Sequence, residues 1–133
     1  FPKAAAERRG TIPLWVGGNG AASIRRAAEL GDGWHPINLG VDEFAAHVHR
    51  YHDQCGRFGR TPGPVCLRHM PAGRTLPGGL RPPLSGSADE QAADIRDYAA
   101  AGMDELMLSL PARDMDDLLS ALRGFMREVV PRV

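Results

Sequence analysis

The sequence has little cysteine, no excess charge of either sign and no long apolar run. Its two cysteines, Cys55 and Cys66, are too few for the disulfide framework of a small secreted domain, so we expect reduced, buried thiols and a cytoplasmic protein. Sixteen basic residues balance sixteen acidic ones, which argues against a nucleic-acid-binding protein. No apolar run approaches the roughly 20 residues that cross a bilayer, so we expect no membrane association.

The chain also lacks an initiating methionine, because it begins at Phe1. Residues 1–11 are polar and rich in alanine, and we interpret them as a linker that enters a first strand near residue 12. The 133 residues suffice for one domain with a core. We therefore expect a single domain that is a piece of a longer protein.

One stretch organises the rest, and it is Ile12–Gly20, which reads IPLWVGGNG. The apolar run Leu14–Val16 predicts a buried parallel strand. The glycines of Gly17–Gly20 permit a tight turn, and Asn19 is predicted to be the N-cap of the helix that follows. A strand, a glycine turn and a helix N-terminus bring unpaired N–H groups together, which favours a phosphate site over a purely structural turn.

The same turn partly matches the dinucleotide-binding fingerprint. Gly18 and Gly20 have the required spacing, and the third small residue is present only if Ser23 is accepted in that place. The second predicted strand ends near Asn38, where the fingerprint expects an acid for the ribose. A small nucleotide-binding α/β module is therefore an alternative that Asn38 disfavours.

Strand and helix patterns alternate four times along the chain. We predict strands at 12–16, 33–38, 65–70 and 106–110, each followed by a helix, which indicates a parallel sheet with helical crossovers. Successive strands begin about 31 residues apart, as they do in a (β/α)₈ barrel of about 250 residues. The chain then has four βα units, but this spacing alone does not distinguish half a barrel from a doubly wound sheet.

Caps and apolar stripes place the helices. The first is predicted to end at a left-handed Gly31, the second to have Asp42 as N-cap or first-turn acid, the third to begin with a Ser87–Glu90 capping box, and the fourth to begin at Asp114. The predicted buried stripes of the last three are Phe44, Val48, Tyr51, Cys55 and Phe58; Ala88, Ala92, Ile95 and Ala99; and Met115, Leu118, Leu119, Leu122, Phe125, Met126 and Val129.

Histidines offer little evidence of a metal site. His47, His49 and His52 share one helix but project in different directions, so we interpret them as a solvated face. His35 and His69 lie near the ends of predicted strands, where α/β folds place their chemistry, and a buried structural role is equally open for both. We expect no metal, and no catalytic residue is assigned.

Four segments together resemble the luciferase-like monooxygenase superfamily. They are the Ile12–Gly20 stretch, Arg25–Pro36 (RRAAELGDGWHP), Gly86–Glu90 (GSADE) and Tyr98–Leu108 (YAAAGMDELML). A final helix that ends at Val130-Pro131 completes the likeness. Within the superfamily, the sequence most resembles the subgroup that uses the deazaflavin coenzyme F420 in place of FMN.

The resemblance implies a (β/α)₈ barrel about twice as long as this chain. Residues 1–133 match its C-terminal half, strands five to eight, and so form a partial luciferase-like domain. The resemblance also implies that Gly17, Gly18, Asn19 and Gly20 bind the coenzyme phosphate. It further implies that Trp34, His35 and Pro36 lie at the rim of the pocket and that the loop 71–85 lies over the same face.

We therefore expect a fragment of a flavin- or coenzyme F420-dependent oxidoreductase or monooxygenase that acts on a small organic substrate. The family's first half supplies most substrate contacts, so the isolated chain is expected to be inactive. A non-catalytic truncated fragment and the small nucleotide-binding module are the alternatives. Four strands leave two open edges and an uncovered apolar surface, so we expect self-association or a missing N-terminal half.

Overall fold

A computed structural model describes residues 12–70 and 81–133 of the chain. The predicted linker 1–11 and most of the predicted loop 71–85 lie outside these residues. The elements in chain order are β1 (Trp15–Gly17), α1 (Ala21–Leu30), β2 (Gly33–His35), α2 (Val41–Arg57), β3 (Cys66–His69), α3 (Ala88–Ala100), β4 (Glu105–Leu108), α4 (Met115–Glu128) and a 3₁₀ turn (Val130–Arg132). The four predicted βα units are confirmed, with shorter strands than expected.

The strands are parallel and follow one another in sequence order. β1 pairs with β2 and β3 pairs with β4, while the parallel bridges Trp34–Val65 and Ile37–Arg68 join β2 to β3. The order β1-β2-β3-β4 differs from the doubly wound orders, in which the chain reverses direction across the sheet. Consecutive order is typical of a β/α barrel wall, and it disfavours the doubly wound alternative.

The core lies between the sheet and the helices. Val16, Trp34 and Leu67 belong to it or pack against it, and the side chain of Trp34 is fully buried against Phe44 and Tyr51. Side chains alternate between the faces of a strand, so His35 lies on the opposite face of the sheet. One face is therefore packed by helices, and the other carries the residues that alternate with the core.

The predicted stripe of α2 is confirmed and that of α3 needs one correction. In α2, the first four predicted positions are buried. In α3, Ala92 and Ile95 are buried, but Ala99 is exposed and Tyr98 is buried in its place. Tyr98 is held there because its hydroxyl donates to the Leu39 carbonyl at 2.6 Å and its ring meets Phe44 edge-on.

Two predictions about the ends of α1 are wrong. Gly20, not Asn19, is the N-cap, and Gly31 follows the helix at φ −83°, outside the left-handed region. The last carbonyls are satisfied instead by Arg60, which donates to Ala28 and Gly31. A Cβ at Gly31 would lie 2.8 Å from the Ala27 carbonyl oxygen, so this glycine serves close packing.

The other helix starts agree with the sequence. Gly40 is the N-cap of α2, and Asp42 lies in the first turn, which was one of the two predicted roles. Ser87 and Glu90 form the predicted capping box of α3, and the Asp114 side chain caps α4 by accepting from the Asp117 amide.

The two ends of the sheet are exposed, contrary to the predicted burial. Leu14 is 54% exposed and Trp15 is 37% exposed, although the pattern predicted a buried strand there. On α4, Met115, Leu118, Leu119, Leu122 and Met126 are 36–66% exposed. Only Phe125 and the following Val129 pack against the core. The apolar patterns are present, but the described residues do not cover them.

Candidate functional site

The glycine turn after β1 is joined to the end of β2 by backbone and side-chain hydrogen bonds. The Gly18 amide donates to the His35 carbonyl at 3.2 Å, and the indole N–H of Trp34 donates to the Gly18 carbonyl at 2.9 Å. Gly17–Gly20 and Trp34–Pro36, which the resemblance assigns to one pocket, are therefore in direct contact. The buried indole fixes the position of the turn.

Gly18 is required by the backbone of this turn. Its φ is +111°, which side-chain-bearing residues rarely adopt, and a Cβ there would lie 2.8 Å from the Ser23 hydroxyl oxygen. Gly20 is different, since its φ is −72° and a Cβ there would meet nothing within 4 Å. The absence of a side chain at Gly20 thus leaves space in front of the N-terminus of α1.

That N-terminus presents free donors. The amides of Ser23 and Ile24 both donate to the Gly20 carbonyl, so the amides before them have no acceptor within the helix. Gly20 provides no side-chain cap. Unsatisfied N–H groups and the positive end of the helix dipole favour an anion at this position.

Asn19 orients the turn rather than capping the helix. Its side-chain amide donates to the Ile37 carbonyl at 2.8 Å and accepts from the Ile37 amide at 2.9 Å. The side chain therefore pairs with the backbone beyond β2 as another strand would. Two hydrogen bonds to one residue fix the turn relative to the end of β2.

The His35 ring is fixed from the neighbouring strand. Its Nδ1 lies 2.8 Å from the Cys66 carbonyl oxygen, and only a protonated nitrogen can form that hydrogen bond. In the neutral ring this arrangement leaves Nε2 as an acceptor. His35 is partly exposed at the carboxyl end of β2, whereas the adjacent Pro36 is buried.

Basic side chains lie near the turn on α1. The Arg26 guanidinium donates to the Ser23 hydroxyl at 3.2 Å, and Arg25 pairs with Glu29 on the exposed side of the helix. A hydroxyl and a guanidinium within one helical turn of a glycine loop suit an anionic group. These two positions, Ser23 and Arg26, were not among the predicted site residues, although a hydroxyl in the first helical turn was a usable signal.

His69 is not part of this arrangement. It is only 5% exposed, and its Nδ1 has no hydrogen-bond partner among residues 12–70 and 81–133. Burial lowers the pKa of His69, while the Pro83 carbonyl and Asp94 act in the opposite direction. Burial therefore favours the neutral imidazole, and the choice between a structural and a catalytic role for His69 stays a prediction.

The remaining histidines and both cysteines form no cluster suited to a metal. Within the described ranges there is no group of three His, Cys, Asp or Glu side chains that could hold a metal ion. His49 and His52 are exposed as predicted. His47 is half-buried, because its ring stacks on Trp34 with centroids 6.5 Å apart. Cys55 and Cys66 are buried free thiols, as predicted, and burial raises the pKa of each.

A cavity of about 470 Å³ lies elsewhere, between the start of α3 and the second half of α4. Ser87, Leu108, Phe125 and Glu128 contribute to its lining, and none of its lining residues belongs to the glycine turn. No helix in the described part of the chain is both long and apolar enough to cross a membrane.

Solved structures of similar fold include three redox enzymes. An F420-dependent secondary alcohol dehydrogenase in complex with an F420-acetone adduct aligns with a TM-score of 0.69 at 15% identity, over 94% of this chain and 50% of that one. The monooxygenase RslO1 from Streptomyces bottropensis aligns with a TM-score of 0.66 at 17% identity, over 93% of this chain and 49% of that one. The coenzyme F420-dependent tetrahydromethanopterin reductase from Methanopyrus kandleri aligns with a TM-score of 0.68 at 15% identity, over 90% of this chain and 50% of that one.

These likenesses establish the fold, and the chain spans about half the length of each of these structures. No curated protein sequence matches it significantly. The sequence profile of the family described as luciferase-like monooxygenase matches residues 1–77. That match covers more than half of the chain and includes the glycine turn and the Trp34–Pro36 segment, and so the protein belongs to the luciferase-like monooxygenase family.

Proposed function

We propose that this chain is the C-terminal half of a flavin- or coenzyme F420-dependent oxidoreductase, comprising strands five to eight of a (β/α)₈ barrel. The family assignment and the consecutive parallel strand order support this proposal. The alignment with half of each of two F420-dependent enzymes favours coenzyme F420 over FMN. The substrate of the complete enzyme is a small organic molecule.

The coenzyme phosphate binds at Gly17–Gly20 in this proposal. The observation that carries it is the fit of the turn to an anion. The α1 amides before Ser23 lack acceptors within the helix, and Gly20 leaves the space in front of them open. Trp34 and Asn19 hold the turn in place from the side of β2. A preformed cradle binds without the entropic cost of ordering a loop.

When bound, the coenzyme supplies the redox chemistry, which is hydride transfer or oxygen activation at its ring. The chain's own residues bind and orient it. Trp34 and Pro36 form the buried base of the pocket rim, whereas His35 presents Nε2 as an acceptor for a coenzyme or substrate hydroxyl. No residue of this chain is assigned as a proton donor or base for the reaction.

The test is titration of the chain with FMN and with coenzyme F420, followed by tryptophan fluorescence. Trp34 reports on the site, since its indole donates to Gly18. We expect saturable quenching by at least one coenzyme, lost in Gly18→Ala and retained in Gly56→Ala. Gly56 is a matched control, because a Cβ there meets nothing within 4 Å. Equal quenching of both variants would contradict the proposal.

A non-catalytic fragment that binds no coenzyme is the second candidate. The exposed apolar residues at both ends of the sheet favour it, since they show that the described residues alone do not close a barrel. A folded chain with no affinity for either coenzyme, or for phosphate, would select this candidate.

A further inference from the structure

We propose that Arg68 on β3 binds an oxyanion, such as a carboxylate, of the organic substrate. This inference rests on the proposed function and deepens it, because it makes the substrate of the complete enzyme a small organic anion. It is carried by the place of Arg68 on the sheet, by a buried N–H group of its side chain and by the scarcity of acids around it.

Arg68 lies on the side of the sheet that does not pack against the helices. The preceding Leu67 is fully buried in the core, and side chains alternate between the two faces of a strand. We define the inner face as the strand side chains that alternate with the core, which are Trp15, His35, Cys66, Arg68, Glu105 and Met107. In the proposed half barrel, this face lines the interior.

The backbone of Arg68 is fixed by both neighbouring strands. Its amide donates to the Pro36 carbonyl at 2.8 Å, and its carbonyl accepts from the Asn38 amide at 2.9 Å. On the other side, Arg68 pairs in register with Met107 of β4. Because Arg68 is the next-to-last residue of β3, it lies near the carboxyl ends of the strands, where β/α barrels bind their ligands.

The side chain of Arg68 contains a buried donor without an acceptor. Its Nε is shielded from solvent and has no hydrogen-bond partner within residues 12–70 and 81–133. Buried N–H groups are nearly always paired, and an unpaired one on a charged side chain costs free energy. Since arginine keeps its positive charge in proteins, an anion is the acceptor that suits this N–H group.

Acids that pair with Arg68 are scarce. None of the ion pairs in the described part of the chain includes Arg68. Glu105 is the acid of the inner face, but it lies opposite Cys66 at the start of β4, one level below Arg68. Residues 71–80, which come directly after β3 and Met70, contain no Asp or Glu. The described residues and this segment therefore leave the charge of Arg68 without a counter-ion.

The position of Arg68 separates it from the proposed phosphate site. The glycine turn follows β1, and β3 lies two strands away. Neighbouring strands are spaced by about 4.8 Å, so the lines of β1 and β3 are about 10 Å apart. A guanidinium presents parallel N–H groups that match a carboxylate or another oxyanion. The anion at Arg68 is therefore a group of the substrate, distinct from the coenzyme phosphate at Gly17–Gly20.

NMR of the full chain titrated with acetate, and in parallel with acetamide, tests the anion site at constant ionic strength. Acetamide has nearly the shape of acetate but no charge. We expect acetate to shift the side-chain Nε–H signal of Arg68 saturably, with a dissociation constant of about 1–20 mM, and acetamide to leave it unchanged. The exposed Arg50 should show no saturable shift. Equal responses to the two probes, or no response to either, would overturn the proposal.

Two variants measure what the guanidinium contributes, with binding followed at the backbone amide of His69. Arg68→Gln should weaken acetate binding at least about tenfold, because glutamine carries no charge. Arg68→Lys should weaken it roughly 3–5-fold, since lysine keeps the charge but not the parallel N–H groups. Arg50→Gln on α2 is the matched control and should retain the wild-type affinity. Unchanged affinity in a folded Arg68→Gln chain would contradict the assignment.

A coenzyme titration separates substrate from coenzyme as the source of the anion. We expect acetate to bind equally well when FMN or coenzyme F420 is present at saturation. Loss of acetate binding at saturation would assign the anion to the coenzyme and overturn the proposed substrate class. Coenzyme binding without an acetate response would overturn this inference alone. An acetate response in a chain that binds neither coenzyme would support the anion site and overturn the proposed function.

Discussion

The helices α2 and α4 carry similar sequence patterns but differ in their surroundings. Both have an apolar stripe at helical spacing, an acid in the first turn and an arginine in the last turn. The stripe of α2 is buried against Trp34 and the sheet, whereas the apolar residues of the α4 stripe from Met115 to Leu122, and Met126, are 36–66% exposed. The pattern therefore specifies that a helix needs a partner, and the fold of the described residues decides whether that partner is present.

The largest expected effect is the loss of an aromatic side chain from α2. Phe44→Ala should destabilise the chain by about 3–5 kcal/mol, because Phe44 is fully buried and contacts Trp34 and Tyr98. Leu122→Ala on α4 should change monomer stability by no more than about 0.5 kcal/mol. Urea unfolding at the lowest usable protein concentration measures both. Equal losses would show that α4 is packed within one chain.

A second expected effect compares two glycines. Gly18→Ala should cost about 1–3 kcal/mol, because alanine must adopt a positive φ and meet Ser23. Gly56→Ala should instead stabilise α2 by about 0.5–1 kcal/mol, because alanine is the better helix former. Thermal unfolding separates the two signs. A stable Gly18→Ala chain would mean that the turn adopts another conformation.

Helix caps offer a smaller test. Ser87→Ala removes the capping box of α3, whose inner side is buried, and should reduce global stability by about 1 kcal/mol. Asp114→Ala removes a similar cap from α4. Because α4 contacts the core only near its C-terminal end, we expect faster amide exchange at its N-terminal turns and little change in global stability. Hydrogen exchange read residue by residue distinguishes local fraying from global loss.

The smallest expected effect concerns pH. Burial lowers the pKa of His69 below its ordinary value of 6.5, so the unfolded chain binds more protons than the folded chain in that range. The contribution of His69 to the free energy of unfolding should therefore be fully present above pH 6.5. It should fall as the pH decreases from 6.5 toward the lowered pKa of the folded chain. His69→Phe should flatten this dependence between pH 7.5 and about 5.5. The exposed His52→Ala should retain it.

Most of the fold was predictable from local chemistry. The alternation of strands and helices, the Ser87 capping box and the α2 stripe depend on residues close in sequence, and the structure agrees with them. The strand order was not predictable, because periodicity is the same in a barrel wall and a doubly wound sheet. The burial of Tyr98 in place of Ala99 was not predictable either, because it depends on a hydrogen bond to Leu39, which is distant in sequence.

The candidate site came from the family resemblance, which assigns the glycine turn and Trp34–Pro36 to one coenzyme pocket. The structure brings these segments into contact, and their role in coenzyme binding stays a prediction. The prediction that Asn19 is the N-cap of α1 was wrong, because a side chain next to the start of a helix can cap the helix or turn away from it. The pairing of Asn19 with Ile37 requires the end of β2 to lie opposite the turn, which local sequence does not specify.

The measurement that tests the central claim most directly is amide NMR of the chain titrated with FMN and, in parallel, with riboflavin. The two ligands differ only in the phosphate. We predict that FMN shifts the amide signals of Gly18, Gly20 and Ala21, and that riboflavin leaves these signals unchanged. FMN shifts confined to Ser87 and the cavity beside α4, or identical shifts with both ligands, would contradict a phosphate site at the glycine turn.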